Sequence, residues 1–409
     1  MNEPASKFIR DYLDWKVLVA ALGLTIMGLL SVFSATYDSA MAGRFTHQLI
    51  AASLGVTLMI AIMFASDRLI GFVAYPSYIL SLLFLLAVLV IGRTAYGSKS
   101  WINLAGFSFQ PAEFAKLTTV LALAKFFTNT PRDLRRAGDL AMSIGIVMAP
   151  VVLILLQPDV GTSIVFFVVL FGMLLWAGAD LFLLLAIAAP PVVAIAAFMG
   201  IIPAVIITSA AVVGLVAFRR KFLATLLATG ICVVAAFSTN VVYTHMKPHQ
   251  QKRIEVFLHP DKDPLGAGYN ELQAQLAVGS GGFFGKGYLH GTQTQLRYIP
   301  KQWTDFIYCV PAEEFGFIGG GLVIILFAVL MWRGVWIAMQ SRQQFASAAA
   351  IGIVTLFLFH MFVNIGMTMG LFPVMGIPLP FLSYGGTFLI VDLVSVGLLL
   401  NFYRTRFGW

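Results

Sequence analysis

A short polar stretch, HPDKDPLGAGYNE, runs from His259 to Glu271. Pro264 biases Asp263 toward an extended backbone, and the glycines of LGAGY permit tight turns around that carboxylate. In NELQAQLAV, Leu272 and Leu276 stand one turn apart, as in a short helix lying against a membrane. Next comes GSGGFFGKG, Gly279 to Gly287, with Lys286 inside it. Glycine-rich backbone can approach a phosphate and offer N–H groups beside a lysine, but a flexible loop is the plainer reading. No strand precedes the run, and it matches neither a Walker nor a Rossmann fingerprint. Glu113 and Lys116 in QPAEFAKL are three apart, so one helix face carries both, either as a mutually satisfied pair or as the lining of a charged-headgroup cavity. Asp159 in QPDVGT suits helix capping as well as catalysis. Glu313 and Glu314 suit the first turn of a helix, where they complement its dipole. Asp305 reads as solvated. His360 and Asp392 lie deeper in apolar runs, where interhelical hydrogen bonds are the simpler explanation.

Whatever positions these groups is built mostly from apolar residues. The chain has 409 residues, 59% hydrophobic and 11% charged, where soluble proteins are about one quarter charged. So few charges cannot cover a water-soluble surface, and the natural solvent is a bilayer. The net charge of +8 does not point to nucleic acid, because the basic residues gather at the ends of apolar runs, as topology signals do. Cys232 and Cys309 have no metal-type spacing and no disulfide framework.

Apolar runs lie near 15–35, 46–65, 69–92, 112–127, 138–156, 161–178, 181–198, 201–218, 222–243, 314–332, 349–369 and 385–403. Together they predict an all-α polytopic integral membrane protein of about 12 (10 to 12) transmembrane helices, a single unit over 1–409. Lys7, Arg10 and Lys16, then Arg132, Arg135 and Arg136, then Arg219, Arg220 and Lys221, then Arg333 and Arg342, then Arg404 and Arg406 all fall on one face, which is therefore cytoplasmic. Pro190 and Pro191 interrupt 181–218, where one hairpin could be re-entrant. The flank SKFIRDYLDW reads as an interfacial segment rather than a cleavable signal. Three loops then lie outside, at 93–111, about 244–312 and 370–384, and the longest holds the opening stretch. Two classes fit: an enzyme on a lipid-linked substrate, which needs a base and cations near the interface, and a secondary transporter, which more often shows inverted repeats that are not evident here.

The run DPLGAGYNELQAQLAVGSGGFFGKGYLHGTQTQLRYIPKQWTDFIYCVPAEEFGFIGGG, then PLPFLSYGGTFLI, together with the earlier SWINLAGFSFQPAEFAKL and QPDVGTSIV, resembles the SEDS family (shape, elongation, division and sporulation), most closely its RodA branch. The motifs stand in family order across most of the chain. The resemblance implies a peptidoglycan glycosyltransferase polymerising lipid II at the outer face of the bacterial cytoplasmic (inner) membrane, for elongation and shape. It places the family's essential aspartate on Asp263 as general base for an inverting transfer. It makes Lys116, Glu113, Trp101, Lys286, Arg297, Asp159 and Ser383 substrate-binding candidates. No metal site is indicated, although a divalent cation, Mg or Mn, could assist. The implied partners are undecaprenyl-pyrophosphate-linked glycan, a class B penicillin-binding protein and the elongation machinery. A lipid II flippase and an O-antigen-ligase-like transferase are the alternatives. Two departures stand out: Lys301, Gln302 and Trp303 replace an acidic residue and a histidine expected before TDFIF, and twelve runs exceed the family's usual ten, the extra pair falling between 181 and 243.

Overall fold

The computed structural model describes residues 12–37, 43–95, 98–104, 107–128, 137–218, 222–245, 251, 255, 257, 268–300 and 302–407. Asp261, Lys262, Asp263 and Pro264, most of the expected interfacial segment, and the basic clusters at 132–136 and 219–221 lie outside the described residues.

Each apolar run is a helix. In chain order they are α1 (Trp15–Thr36), α2 (Gly43–Met63), α3 (Asp67–Ile91), α4 (Pro111–Thr128), α5 (Ala137–Leu155), α6 (Val160–Trp176), α7 (Leu181–Met199), α8 (Ile201–Ala217) and α9 (Phe222–His245). Three shorter helices follow, α10 (Tyr269–Ser280), α11 (Thr292–Gln295) and α12 (Cys309–Glu314), before α13 (Gly316–Gln340), α14 (Gln344–Thr368) and α15 (Gly386–Arg404). Among the described residues nine helices are long and apolar enough to cross a membrane, and α6 and α8 are shorter apolar helices. The charged residues of α4 keep it out of both groups, yet nearly all of it is buried, encased by its neighbours.

The 93–111 connection, expected as a loop, contains an antiparallel sheet of β1 (Arg93–Ala95), β2 (Ser98–Leu104) and β3 (Phe107–Phe109), in that order. Its links, Tyr96-Gly97 and Ala105-Gly106, have the two-residue length that favours hairpins.

The 181–218 segment is a helical hairpin. Gly200, at φ 130°, is the single residue between α7 and α8, and a backbone there suits glycine. Phe182 and Phe218 meet at 6.2 Å at the open end of the hairpin. Seventeen residues of α8 rise about 26 Å at roughly 1.5 Å each, close to the thickness of a bilayer core. Pro190 and Pro191 stay within the continuous helix α7. Residues of α7, α8 and α9 form a small cluster around Val193, Leu215 and Cys232, separate from the main core.

Elsewhere, small residues bring backbones together, the usual packing device where lipid gives no hydrophobic drive. A Cβ on Gly397 of α15 would stand 2.7 Å from the Met59 carbonyl oxygen of α2, and one on Gly28 of α1 would collide with the Phe381 carbonyl.

Polar bonds concentrate at the two ends of the bundle. At one end Arg333 pairs with Asp14 at 2.6 Å. There too the Asn401 amide donates to the carbonyls of Ile62, Met63 and Ala65 at 2.8–3.1 Å, and Arg404 also reaches Ala65. The other end carries the sheet, α10 to α12 and the 369–385 segment. It is fastened to the end of α1 by Ser34 donating to Glu314 and by Gln302 donating to the Ala35 carbonyl at 3.3 Å. The described basic residues that predict a cytoplasmic face thus cluster at the end opposite the long loop.

Candidate functional site

The polar centre of the bundle starts at α4. Pro111 occupies its first position, where a missing N–H removes nothing, and the Gln110 N–H donates to the Thr387 hydroxyl at 3.3 Å, tying α4 to α15. Glu113 and Lys116 then lie one turn apart, each 3% exposed and paired at 2.6 Å. The Lys116 ammonium also stands 3.1 Å from His360 Nε2 on α14. His360 Nδ1 lies 3.0 Å from the Pro378 carbonyl. A carbonyl only accepts, so Nδ1 carries the proton and Nε2 is the neutral acceptor for lysine. The imidazole stacks on Phe388 at 5.5 Å, and the Lys116 charge faces the same ring at 5.5 Å. A positive charge is thus held rigidly near the loop-rich end with two of its three N–H donors engaged.

Asp392, buried on α15, accepts from the Phe381 N–H at 3.0 Å. Phe381 has φ 64°, a conformation a bulky residue rarely adopts, so the carboxylate holds a strained turn in place. The interhelical hydrogen bond expected of His360 is present. The one expected of Asp392 goes instead to the 369–385 segment. Ser383 supports the same turn: it is buried, donates to the Thr304 carbonyl at 2.7 Å and accepts from the Leu379 N–H at 2.8 Å.

Asp159 caps α6, accepting from the Thr162 N–H at 3.1 Å and the Thr162 hydroxyl at 2.9 Å, within electrostatic reach of Glu113. Trp101 is half-buried on β2 opposite Arg93 of β1. Arg297, exposed at φ 58°, donates to the Tyr37 carbonyl at 3.2 Å. Glu113 and Lys116 are thus brought into direct contact.

Lys286 is drawn into the loop itself. It donates to Ser280 at 2.7 Å, Thr292 at 2.6 Å and the Glu313 carboxylate at 2.9 Å. Glu313 also accepts from the Gln293 and Thr294 N–H groups at 2.9 Å and from the Thr294 hydroxyl at 2.7 Å. Burial pushes the Glu313 carboxyl up, but the bonds from Lys286, Thr294 and Gln293 outweigh it and hold the group below its ordinary value. For Glu314 burial prevails over its bonds from Ser34 and Gln295 and holds the carboxyl above its ordinary value. The glycine-rich run does not present amides to a phosphate. The Lys286 and Gly287 N–H groups donate to the Glu313 and Glu314 carbonyls at 3.0 Å, and a Cβ on Gly281 would collide with the Ala312 carbonyl. Gly281 and Gly285 serve close packing against α12.

His360 is an ionisable group inside a membrane helix, and that alone marks it as a site candidate. Glu313 carried no such signal, because two glutamates in a first turn look like dipole complements. Among the described residues no three His, Cys, Asp or Glu side chains converge as metal ligands.

The chain matches the model of the cell cycle protein family of FtsW, RodA and SpoVE over residues 14–223 and 199–407. It is 32% identical to the peptidoglycan glycosyltransferase MrdB of Escherichia coli K12, covering 99% of this chain and 98% of the relative. It is 35% identical to the stage V sporulation protein E of Bacillus subtilis, covering 96% and 97%. Of solved structures, a chain from a peptidoglycan synthase complex that coordinates polymerization and crosslinking superposes with a TM-score of 0.73 at 29% identity, covering 97% of this chain and 99% of that one. The Thermus thermophilus rod shape determining protein RodA gives 0.65 at 26% identity, with 100% of both chains covered.

Proposed function

The chain belongs to the FtsW, RodA and SpoVE family, and we propose that it is a peptidoglycan glycosyltransferase that polymerises lipid II at the outer face of a bacterial inner membrane. The observation that carries this reading is the buried Lys116, fixed by Glu113 and His360 at the loop-rich end of a chain related over its whole length to enzymes named for that activity.

In the proposed reaction the 4-hydroxyl of the acceptor GlcNAc attacks C1 of the donor MurNAc. Asp263 takes the hydroxyl proton, the C1–O bond to the undecaprenyl diphosphate breaks on the opposite face, and the anomeric centre inverts. A positioned base contributes roughly 10²- to 10⁴-fold. The departing diphosphate gains negative charge, and a preoriented cation stabilises it without reorganising. Lys116 suits that role with its third N–H, while Glu113 and His360 keep it aimed. Asp159 and Trp101 border the same end, whereas Lys286 acts through the loop, by holding Glu313 and with it the 286–295 turn. A class B penicillin-binding protein, a transpeptidase, is the proposed partner that crosslinks the new strands, and the elongation machinery the proposed setting. That partner fits the synthase-complex chain this fold resembles.

The test is polymerisation of purified lipid II by the chain with its cognate transpeptidase. Wild type should make glycan strands, while Asp263→Asn should make none and still fold. Strands from the variant at the wild-type rate would remove Asp263 from the mechanism, and no strands from wild type would sink the activity.

A further inference from the structure

Arg44, in the first turn of α2, is half-buried, its guanidinium over two aromatic rings, 4.3 Å from the Trp303 ring centre and 5.8 Å from that of Tyr384. Among the described residues no carboxylate or carbonyl pairs with it, in contrast to Lys116, Lys286 and Arg333. A guanidinium carries its N–H donors in a planar fork, and that fork matches two oxygens of a phosphate.

The surroundings suggest what carries the phosphate. Phe45, next to Arg44, lines an open cleft of about 390 Å³ whose other walls are Ile26, Leu29, Leu30 and Phe33 of α1 and Tyr288. Phe45 and Phe33 meet at 5.0 Å. A second cleft of about 280 Å³ lies toward the opposite end between the same two helices, with Leu18, Leu22, Val56 and Ile60 in its walls. Leu18, Leu22, Ile26, Leu29 and Phe33 recur at helical spacing, so one face of α1 lines both clefts. Among the described residues, neither cleft's lining includes a charged side chain. Two apolar clefts along one face of α1, the loop-rich one lined by Arg44's chain neighbour Phe45, fit a long apolar chain with an anionic head. Tyr384 and Phe388, four residues apart, place Arg44 and Lys116 beside the same turn.

We propose that Arg44 binds the diphosphate of a polyprenyl-linked substrate or by-product, with its polyprenyl chain along the α1–α2 face. The inference rests on the glycosyltransferase reading for its ligand class, and Arg44 is a substrate-binding residue in it, with Trp303 positioning the guanidinium.

The test uses the full chain in nanodiscs and a long-chain polyprenyl diphosphate, which binds without turnover. Arg44→Ala should weaken binding about 10- to 100-fold, the scale of a lost hydrogen bond to a charged group. Arg44→Lys, which keeps the charge and loses the flat fork, should fall between. Polyprenyl alcohol and inorganic pyrophosphate should each compete poorly. Wild-type affinity in Arg44→Ala, or equal competition by the alcohol or by pyrophosphate alone, would overturn the proposal. Should Arg44→Ala fail to fold, wild type labelled by a diazirine-bearing polyprenyl diphosphate decides: crosslinks in α1 and α2 support the site, and crosslinks confined to other helices sink it. Because binding needs no catalysis, an Arg44-dependent ligand on a chain that makes no glycan would defeat only the activity, and polymerisation with Arg44-independent binding only this site.

Discussion

Replacing Glu313 with alanine should open the long loop while leaving the helical bundle folded. The Glu313 carboxylate is the shared acceptor for the Thr294 N–H and hydroxyl, the Gln293 N–H and the Lys286 ammonium. Thr294 is 1% exposed, so both of its donors would be stranded. Each stranded buried donor costs about 1–3 kcal/mol, or about 2–6 kcal/mol for the two. Lys286, with its side chain 25% exposed, recovers solvation from water and adds little. All the lost bonds run to residues 286–294, while Tyr288 and Gln295 keep their bonds to Leu30 and Ser34 of α1, so the loss falls on local opening rather than global unfolding. Amide hydrogen exchange in nanodiscs should therefore quicken in peptides covering 286–295 by about 30- to 10⁴-fold, with α14 unchanged. Unchanged protection across 286–295 would refute the clamp. Equal loosening of α14 would refute its being local.

The same geometry makes other outcomes measurable. Lys116→Met leaves Glu113 buried without its partner and should cost about 3–5 kcal/mol, whereas adding Glu113→Gln should restore part of the thermal stability; a double variant no more stable than the single would count against the pair. Gly28→Val drives a side chain into the Phe381 carbonyl and should lower the melting temperature sharply, while Gly43→Ala, with open space around it, should not. For pH, the Glu313 carboxyl is held below its ordinary value of 4.5, so its contribution is complete above that value and is lost as pH falls through the lower folded-state value. Glu314, raised above 4.5 by burial, contributes in the opposite sense, most below 4.5 and less as pH rises through its raised value. Exchange in 286–295 should accordingly quicken on acidification below about 4.5 in wild type and lose that dependence in Glu313→Gln.

Twelve helices, their approximate limits and the end bearing the basic residues were all legible in the chain, because hydropathy and charge at helix ends are local properties read over one span. So was the Glu113–Lys116 pair, since residues three apart on a helix are neighbours whatever surrounds them. The sheet at 93–109 was missed because β1 and β3 have three residues each and β2, SKSWINL, shows no strict alternation of apolar and polar residues. What the tertiary structure decided concerns partners distant in sequence. His360 reaches Lys116 across 244 positions, Lys286 turns to Glu313 instead of toward a ligand, and the Ser383 hydroxyl is absorbed by the backbone it supports. Arg44 meets Trp303 only because α2 and the long loop converge at the same end of the bundle. Residue type and spacing determine which groups are able to do chemistry. Which of them are already satisfied by the protein, and which still present an unpaired edge, depends on how the helices pack.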